Sequence, residues 1–169
     1  MNSGARDSRA PMPATRTVRV PGRNGLNVLV VEDDEADAYL ISNALERHPR
    51  IAGITFARDG VEAMAHLDRT AVSPDFAIVD LHMPRKNGLA LLVELRCRNV
   101  ASFPVIILTS SSAINDGVRS RLRGADGFLI KPDSFEELEC LLSETIAAVQ
   151  ACQNPPVSRG GLDWWDGGR

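Results

Sequence analysis

Four short apolar runs, each ending at a polar residue, constrain the fold of this chain more than any other feature. Runs of Val, Ile, Leu and Phe without polar alternation are typical of strands in a parallel sheet that is covered on both faces. Ligands of such sheets bind beyond the carboxyl ends of the strands. If the four runs are neighbouring strands, the residues that follow them meet in one crevice as three acids, one hydroxyl and one amine: Glu32, Asp33, Asp80, Thr109 and Lys131.

The region 26–150 alternates these strand candidates with amphipathic stretches, which is the pattern of repeated βα units. A further apolar run, ITFA at 54–57, brings the predicted strands to five. We therefore predict one α/β domain over 26–150, built on a doubly wound sheet of five parallel strands.

Two helices in this region show distinct sequence signals. The fourth is predicted from Ile114, Val118 and Leu122, which keep one apolar face at helical spacing. The fifth is predicted to begin with a capping box formed by Ser134 and Glu137.

Both ends of the chain differ in composition from this domain. Residues 1–25 hold five arginines against the single acid Asp7, and we predict a flexible, solvated arm there. An Arg-rich, acid-poor start also occurs in organelle transit peptides and in segments that bind acidic surfaces. Residues 151–169 are rich in Pro and Gly and read as a tail, in which Trp164 and Trp165 either anchor a partner or pack back on the domain.

Composition excludes several classes of function. A net charge of −3 gives no reason to expect nucleic-acid binding. No apolar stretch is long enough to span a bilayer and no secretory signal is evident, so we expect a cytoplasmic protein with no membrane partner. Cys97, Cys140 and Cys152 are too widely spaced to suggest a zinc site or a disulfide framework.

The predicted crevice suits phosphoryl chemistry. Asp80 ends a strand and precedes a turn, so its carboxylate is the candidate nucleophile. An anion that attacks phosphorus needs a cation touching both partners, and Asp33 supported by Glu32 supplies oxygen ligands suited to Mg2+. Lys131 would balance the acids before phosphorylation and contact a phosphoryl oxygen afterwards, while Thr109 would donate a hydrogen bond to another oxygen.

With these residues in place, the region 26–150 resembles a receiver domain of the bacterial two-component response regulators. The likeness lies in VVEDD, in VDLHMPRKNG around Asp80, in ILTSSS and in FLIKP. It implies the (βα)5 flavodoxin-like receiver fold. It also implies that Asp80 accepts a phosphoryl group from a phosphohistidine on a sensor kinase, with Mg2+ held by Asp33, Asp80 and the main-chain carbonyl of His82.

The resemblance carries over to further positions. Phe128 resembles the switch aromatic that turns inward when the Thr109 hydroxyl moves to the phosphoryl group. The His82 side chain would line the path of the water that hydrolyses the acyl phosphate. The Lys131–Pro132 bond resembles one that is cis in the family. Asp34 lies next to the acidic doublet, and we expect it to act at a helix start rather than in the metal shell.

The sequence also suggests how a signal would leave the domain. The arm and the tail are each too short to bury a core unaided, so we expect no output domain and signalling by contact. The expected surface is formed by the fourth helix, the fifth predicted strand and the fifth helix, and it is also a candidate homodimer contact. The segments VEDDEADAYLISNAL and TSSSAINDGVRSRLRGADGFLIKP resemble single-domain regulators paired with phytochrome-type histidine kinases.

Two alternatives remain open at this point. A phosphatase of the haloacid dehalogenase type also uses a strand-end Asp, but it needs a second acid where this chain has His82. A receiver-like interaction module that is never phosphorylated would lack one of the acids, the Thr or the Lys, and this chain has them all. We therefore predict a phosphoryl acceptor and not a turnover enzyme.

Overall fold

The computed structural model describes residues 15–98, 102–111 and 113–153. These residues form six strands and five helices. The strands are β1 Thr15–Arg19, β2 Leu26–Val31, β3 Ile51–Ala57, β4 Phe76–Val79, β5 Val105–Thr109 and β6 Gly127–Ile130. The helices are α1 Glu35–Arg47, α2 Gly60–Arg69, α3 Gly88–Cys97, α4 Ile114–Leu122 and α5 Phe135–Gln153.

The sheet has the strand order β1-β3-β2-β4-β5-β6. Strands β2 to β6 pair in parallel, which confirms the predicted doubly wound α/β fold. The chain moves from β2 to one neighbour, β3, and then crosses to the other neighbour, β4. This reversal places a crevice beyond the carboxyl ends of β2 and β4, where ligands of such sheets bind.

Apolar side chains on the two faces of the sheet form two cores. One face packs against α1 and α5, with Leu45, Ile54 and Leu142 almost fully buried. The other packs against α2 and α3, with Leu92 and Ile107 equally buried. Because both faces are covered, β4 and β5 are buried along their whole length, which explains their unbroken apolar sequence.

The prediction of a flexible arm over 1–25 is wrong for Thr15–Arg19, which form β1, a sixth strand. This strand pairs antiparallel with β3, where Val18 lies opposite Ile54. Thr15 and Val18 are partly buried while Arg16, Thr17 and Arg19 are exposed, which suits a strand of β-branched residues and arginine at the edge of a sheet. The predicted sheet of five parallel strands is therefore extended by one antiparallel strand that covers the edge of β3.

The apolar face of α4 points outward rather than into the core. Ile114, Val118 and Leu122 are 86%, 52% and 81% exposed. The buried residues of this helix are the small Gly117 and Ser120, so the helix packs through its small-residue face. The helix was predicted correctly from the spacing of these residues, but its apolar face remains uncovered within the described part of the chain.

The ends of α5 agree with the sequence except at its last turn. The Glu137 amide donates a hydrogen bond to Ser134 Oγ at 3.2 Å, as expected of the capping box. The helix continues to Gln153, slightly past the predicted domain boundary at residue 150. Trp164 and Trp165 lie outside the described residues. Within those residues, no helix is both long and apolar enough to cross a membrane.

Candidate functional site

Three acids meet beyond the ends of β2 and β4, as the sequence predicted. Val31 pairs with Val79 in parallel register, so the residues that follow these two positions are neighbours. The Asp80 amide continues this pairing by donating to the Val31 carbonyl at 2.9 Å. Carboxylate oxygens of Glu32, Asp33 and Asp80 all lie within 4.8 Å of one another.

Lys131 completes the cluster from the end of β6. Its ammonium lies 2.7 Å from Glu32 Oε2 and 3.6 Å from Asp80 Oδ1. It also lies 2.6 Å from Asp37 Oδ2, a partner on α1 that was not predicted from the sequence. The prediction that Lys131 balances the acids is consistent with this arrangement, although Asp37 is one of the acids it balances.

Burial and charge shift the pKa values of Glu32 and Lys131. Burial raises the pKa of Glu32 to about 7, although the Lys131 ammonium acts in the opposite direction. Burial alone would lower the pKa of Lys131, but hydrogen bonds from its ammonium to Asp37 and Glu32 outweigh that effect and raise it. Lys131 therefore stays protonated near neutral pH, whereas the Glu32 carboxyl group titrates in that range.

The loop after β4 holds the Asp80 carboxylate in place. The His82 amide donates to Asp80 Oδ2 at 2.7 Å, while the His82 side chain is exposed. The loop folds back against the backbone of Asp80 at Gly88. Only glycine fits there, because a Cβ at this position would lie 2.2 Å from the Asp80 carbonyl oxygen. Arg85 has a φ of 57°, which marks a tight turn between Asp80 and Gly88. Asp80 is thus 6% exposed and fixed by its own loop.

A second cluster anchors this loop to α2. Asp59 caps α2 by accepting hydrogen bonds from the Val61 and Glu62 amides, and it is fully buried. Arg85 forms ion pairs with Asp59 and with Glu62. This anchor was not predicted from the sequence, although Asp59 followed by Gly60 before an apolar helix is an N-cap signal.

Thr109 ends β5, and Phe128 lies on the neighbouring strand β6, opposite Ile107. Thr109 is fully buried, and its hydroxyl accepts a hydrogen bond from the Ser111 amide at 3.3 Å. The Thr109 carbonyl accepts from the Lys131 amide at 2.9 Å, which ties the two residues together. Phe128 is half-buried against the core on the α2 and α3 side. Their roles in switching remain predictions.

Two smaller expectations have opposite outcomes. Asp34 is the N-cap of α1 and accepts hydrogen bonds from the Ala36 and Asp37 amides, as expected of an acid at a helix start. The expectation of a cis bond before Pro132 is wrong, because the Lys131–Pro132 bond is trans. Trans is the intrinsically favoured isomer, and with it the Lys131 ammonium already reaches the acids.

The donor set fits Mg2+. Glu32, Asp33 and Asp80 offer carboxylate oxygens only, and Asp33 is exposed, so water can complete the coordination. The facing acids carry more negative charge than the single ammonium of Lys131 can neutralise. A divalent cation would relieve that excess.

Comparisons with known proteins agree with this geometry. The family model "Response regulator receiver domain" matches residues 28–143. The probable methanogenesis regulatory protein FilR2 of Methanothrix harundinacea is 33% identical over 122 residues, which cover 69% of this chain and 79% of that protein. The transcriptional regulatory protein TrcR of Mycobacterium tuberculosis is 35% identical over 113 residues. That match covers 67% of this chain but only 42% of TrcR.

A solved structure shows the same architecture. The phosphorylated cyanobacterial phytochrome response regulator RcpA superimposes with a TM-score of 0.70 at 26% identity. The match covers 76% of this chain and 96% of RcpA. A parallel sheet with three acids and a lysine at its strand ends, together with a family model that spans most of the chain, leads to one conclusion: the chain belongs to the response regulator receiver domain family.

Proposed function

We propose that this receiver domain accepts a phosphoryl group on Asp80 from a sensor histidine kinase. The observation that carries the proposal is the Asp80 carboxylate, fixed by the His82 amide and facing Glu32, Asp33 and Lys131 in one crevice. In the step itself an Asp80 oxygen forms a bond to phosphorus, and the bond from phosphorus to the donor nitrogen breaks.

Each neighbouring residue has a part in this step. Glu32, Asp33, Asp80 and the main-chain carbonyl of His82 are the proposed Mg2+ ligands. Bound Mg2+ would offset the repulsion between the Asp80 carboxylate and the incoming phosphoryl oxygens. Lys131 offers its ammonium to a phosphoryl oxygen, and the Thr109 hydroxyl moves from the Ser111 amide to another such oxygen, after which Phe128 packs further inward.

The signal is proposed to leave through the surface of α4, β6 and α5. This surface carries the uncovered α4 side chains Ile114, Val118 and Leu122, and Ile130 at the end of β6 is 49% exposed. Exposed apolar side chains grouped in this way favour contact with another protein, either a target or a second copy. Signalling by protein contact, a cytoplasmic location and phosphoryl acceptance without enzymatic turnover are proposed from the sequence and the family.

The kinase partner is proposed to be of the phytochrome type. Support comes from the likeness to RcpA, which is itself described as a phytochrome response regulator. Further support comes from the segments VEDDEADAYLISNAL and TSSSAINDGVRSRLRGADGFLIKP. The likeness is moderate in identity, so the proposal rests on fold and motifs together.

Intact-mass analysis tests the central proposal. After incubation with acetyl phosphate and Mg2+, the wild-type chain is expected to gain one phosphoryl group, and Asp80→Asn is expected to gain none, because the nucleophilic oxygen is lost. Asp68→Asn removes an exposed acid that pairs with the surface residue Arg98 and should behave as wild type. An adduct that persists in Asp80→Asn would exclude Asp80 as the acceptor, and steady turnover of a phosphate ester would favour a phosphatase.

His82 is expected to affect loss of the phosphoryl group more than its uptake. The His82 side chain is exposed two residues after the acceptor. The hydrogen bond from the His82 main-chain amide to Asp80 survives any substitution except proline. In His82→Ala we expect the hydrolysis rate to change roughly fivefold, equivalent to about 1 kcal/mol in the barrier, with uptake nearly unchanged. Time courses after removal of the donor measure this, with His48→Ala at the far end of α1 as control; equal changes in both rates would contradict it.

A further inference from the structure

Asp37 stands apart from the acids at the strand ends. It lies in the first turn of α1, and its Oδ2 is 2.6 Å from the Lys131 ammonium. The corresponding distances are 2.7 Å to Glu32 and 3.6 Å to Asp80. Lys131 is therefore held by Glu32 and Asp37, while Asp80 lies beyond normal hydrogen-bond range.

The position of Asp37 is set by the backbone rather than by Lys131. Its amide donates to Asp34 Oδ1 at 2.9 Å, so the N-cap fixes the first turn of the helix. The N-cap thus fixes the backbone from which the Asp37 carboxylate reaches Lys131. A lysine that engages this carboxylate is drawn toward α1 and away from the oxygen of Asp80.

The two acids that hold Lys131 differ in how easily they can release it. The Glu32 side chain is 3% exposed, whereas the Asp37 side chain is 35% exposed. A buried carboxylate that loses its only cation pays a large desolvation penalty, while a partly exposed one is rehydrated at little cost. If Lys131 moves toward a phosphoryl group on Asp80, the contact with Asp37 is the one that breaks.

We propose that Asp37 is a positioning residue that competes with the phosphoryl group for Lys131 and so limits how fully Asp80 is phosphorylated. This inference rests on the proposed function of Asp80. It assigns Asp37 a role in the balance between the two states of the receiver and not in the transfer step. Removing its charge leaves the nucleophile and the proposed metal ligands intact.

The test compares the fraction of phosphorylated protein at a donor concentration that fills the wild type only in part. In Asp37→Asn we expect the ratio of phosphorylated to free protein to rise about two- to fivefold, the range expected for loss of one partly exposed ion pair. Asp37→Ser, which also removes the charge, should act in the same direction. Asp37→Glu retains the charge and should bring the ratio back toward the wild-type value.

The matched control is Glu35→Gln. Glu35 lies in the same first turn of α1, so its replacement causes the same loss of charge and the same change at the helix start. A merely structural role for Asp37 would lower the melting temperature of Asp37→Asn without raising the ratio. An unchanged or lowered ratio in Asp37→Asn, or an equal rise in Glu35→Gln, would overturn the inference. A wild type that takes up no phosphoryl group would instead overturn the proposed function, and this inference with it.

Discussion

Replacing Lys131 with methionine is expected to lower the free energy of unfolding at pH 8, without Mg2+, by about 3–5 kcal/mol. The ammonium is the cation that contacts Glu32, Asp37 and Asp80, and its side chain is only 13% exposed. Methionine keeps the length and apolar stem of lysine but removes the charge. Buried carboxylates would then face one another without a counter-charge.

Urea unfolding at pH 8 and pH 5 measures this effect. At pH 5 the loss should be smaller, because a carboxyl group of the cluster can take up a proton in place of the missing ammonium. The control is Lys86→Met, since Lys86 pairs with Glu94 and their side chains are 25% and 22% exposed. Breaking that pair should cost at most about 1 kcal/mol. Similar losses in the two variants would contradict a special role for Lys131.

The parts of this site that the sequence predicted are those set by strand order. An apolar run that stops at a polar residue reveals a strand end directly, and parallel pairing then brings such ends together. Glu32, Asp33, Asp80 and Lys131 were found in this way, because each lies within two residues of the end of its strand. Nothing about the helices was needed to place them in one crevice.

Asp37 was missed because its position depends on a helix rather than on a strand end. An acid in the first turn of a helix has an ordinary explanation, namely the favourable interaction with the helix dipole. Only the three-dimensional direction of α1 shows that this carboxylate reaches Lys131. The pattern EDDEAD contained the residue but gave no means of choosing it over Glu35.

Strand β1 was misread, and the outward direction of the apolar face of α4 was not predicted, for a related reason. Arginine in β1 suggested a solvated arm, but a strand at the edge of a sheet needs only one packed face and backbone partners. In α4 the apolar spacing identified a face without indicating whether the domain itself covers it. Ile114 and Leu122 are exposed because small residues allow α4 to pack through its opposite side.

The stability of the metal-free domain is expected to fall as pH rises through the range in which Glu32 titrates. Its pKa is about 7 in the folded protein, against an ordinary value of 4.5, so between these values the folded state holds a proton that the unfolded state has lost. The free energy of unfolding therefore decreases from about pH 4.5 to pH 7, by roughly 3 kcal/mol for this one group, and then levels off.

The difference between wild type and Glu32→Gln reports this contribution, because glutamine stays neutral at every pH while groups distant from position 32 titrate alike in both. Relative to the variant, the wild type should lose stability between pH 4.5 and pH 7, as measured by urea unfolding in EDTA, whereas the exposed Glu136→Gln should follow the wild type.

Mg2+ at pH 8 should restore the wild type by about 2.7 kcal/mol at a hundredfold excess over its dissociation constant, since a nearby cation favours the ionised carboxylate. Glu32→Gln should regain less, because one proposed ligand has lost its charge. Parallel pH profiles for wild type and Glu32→Gln would show that folding does not raise the pKa of Glu32, and that burial does not govern its titration.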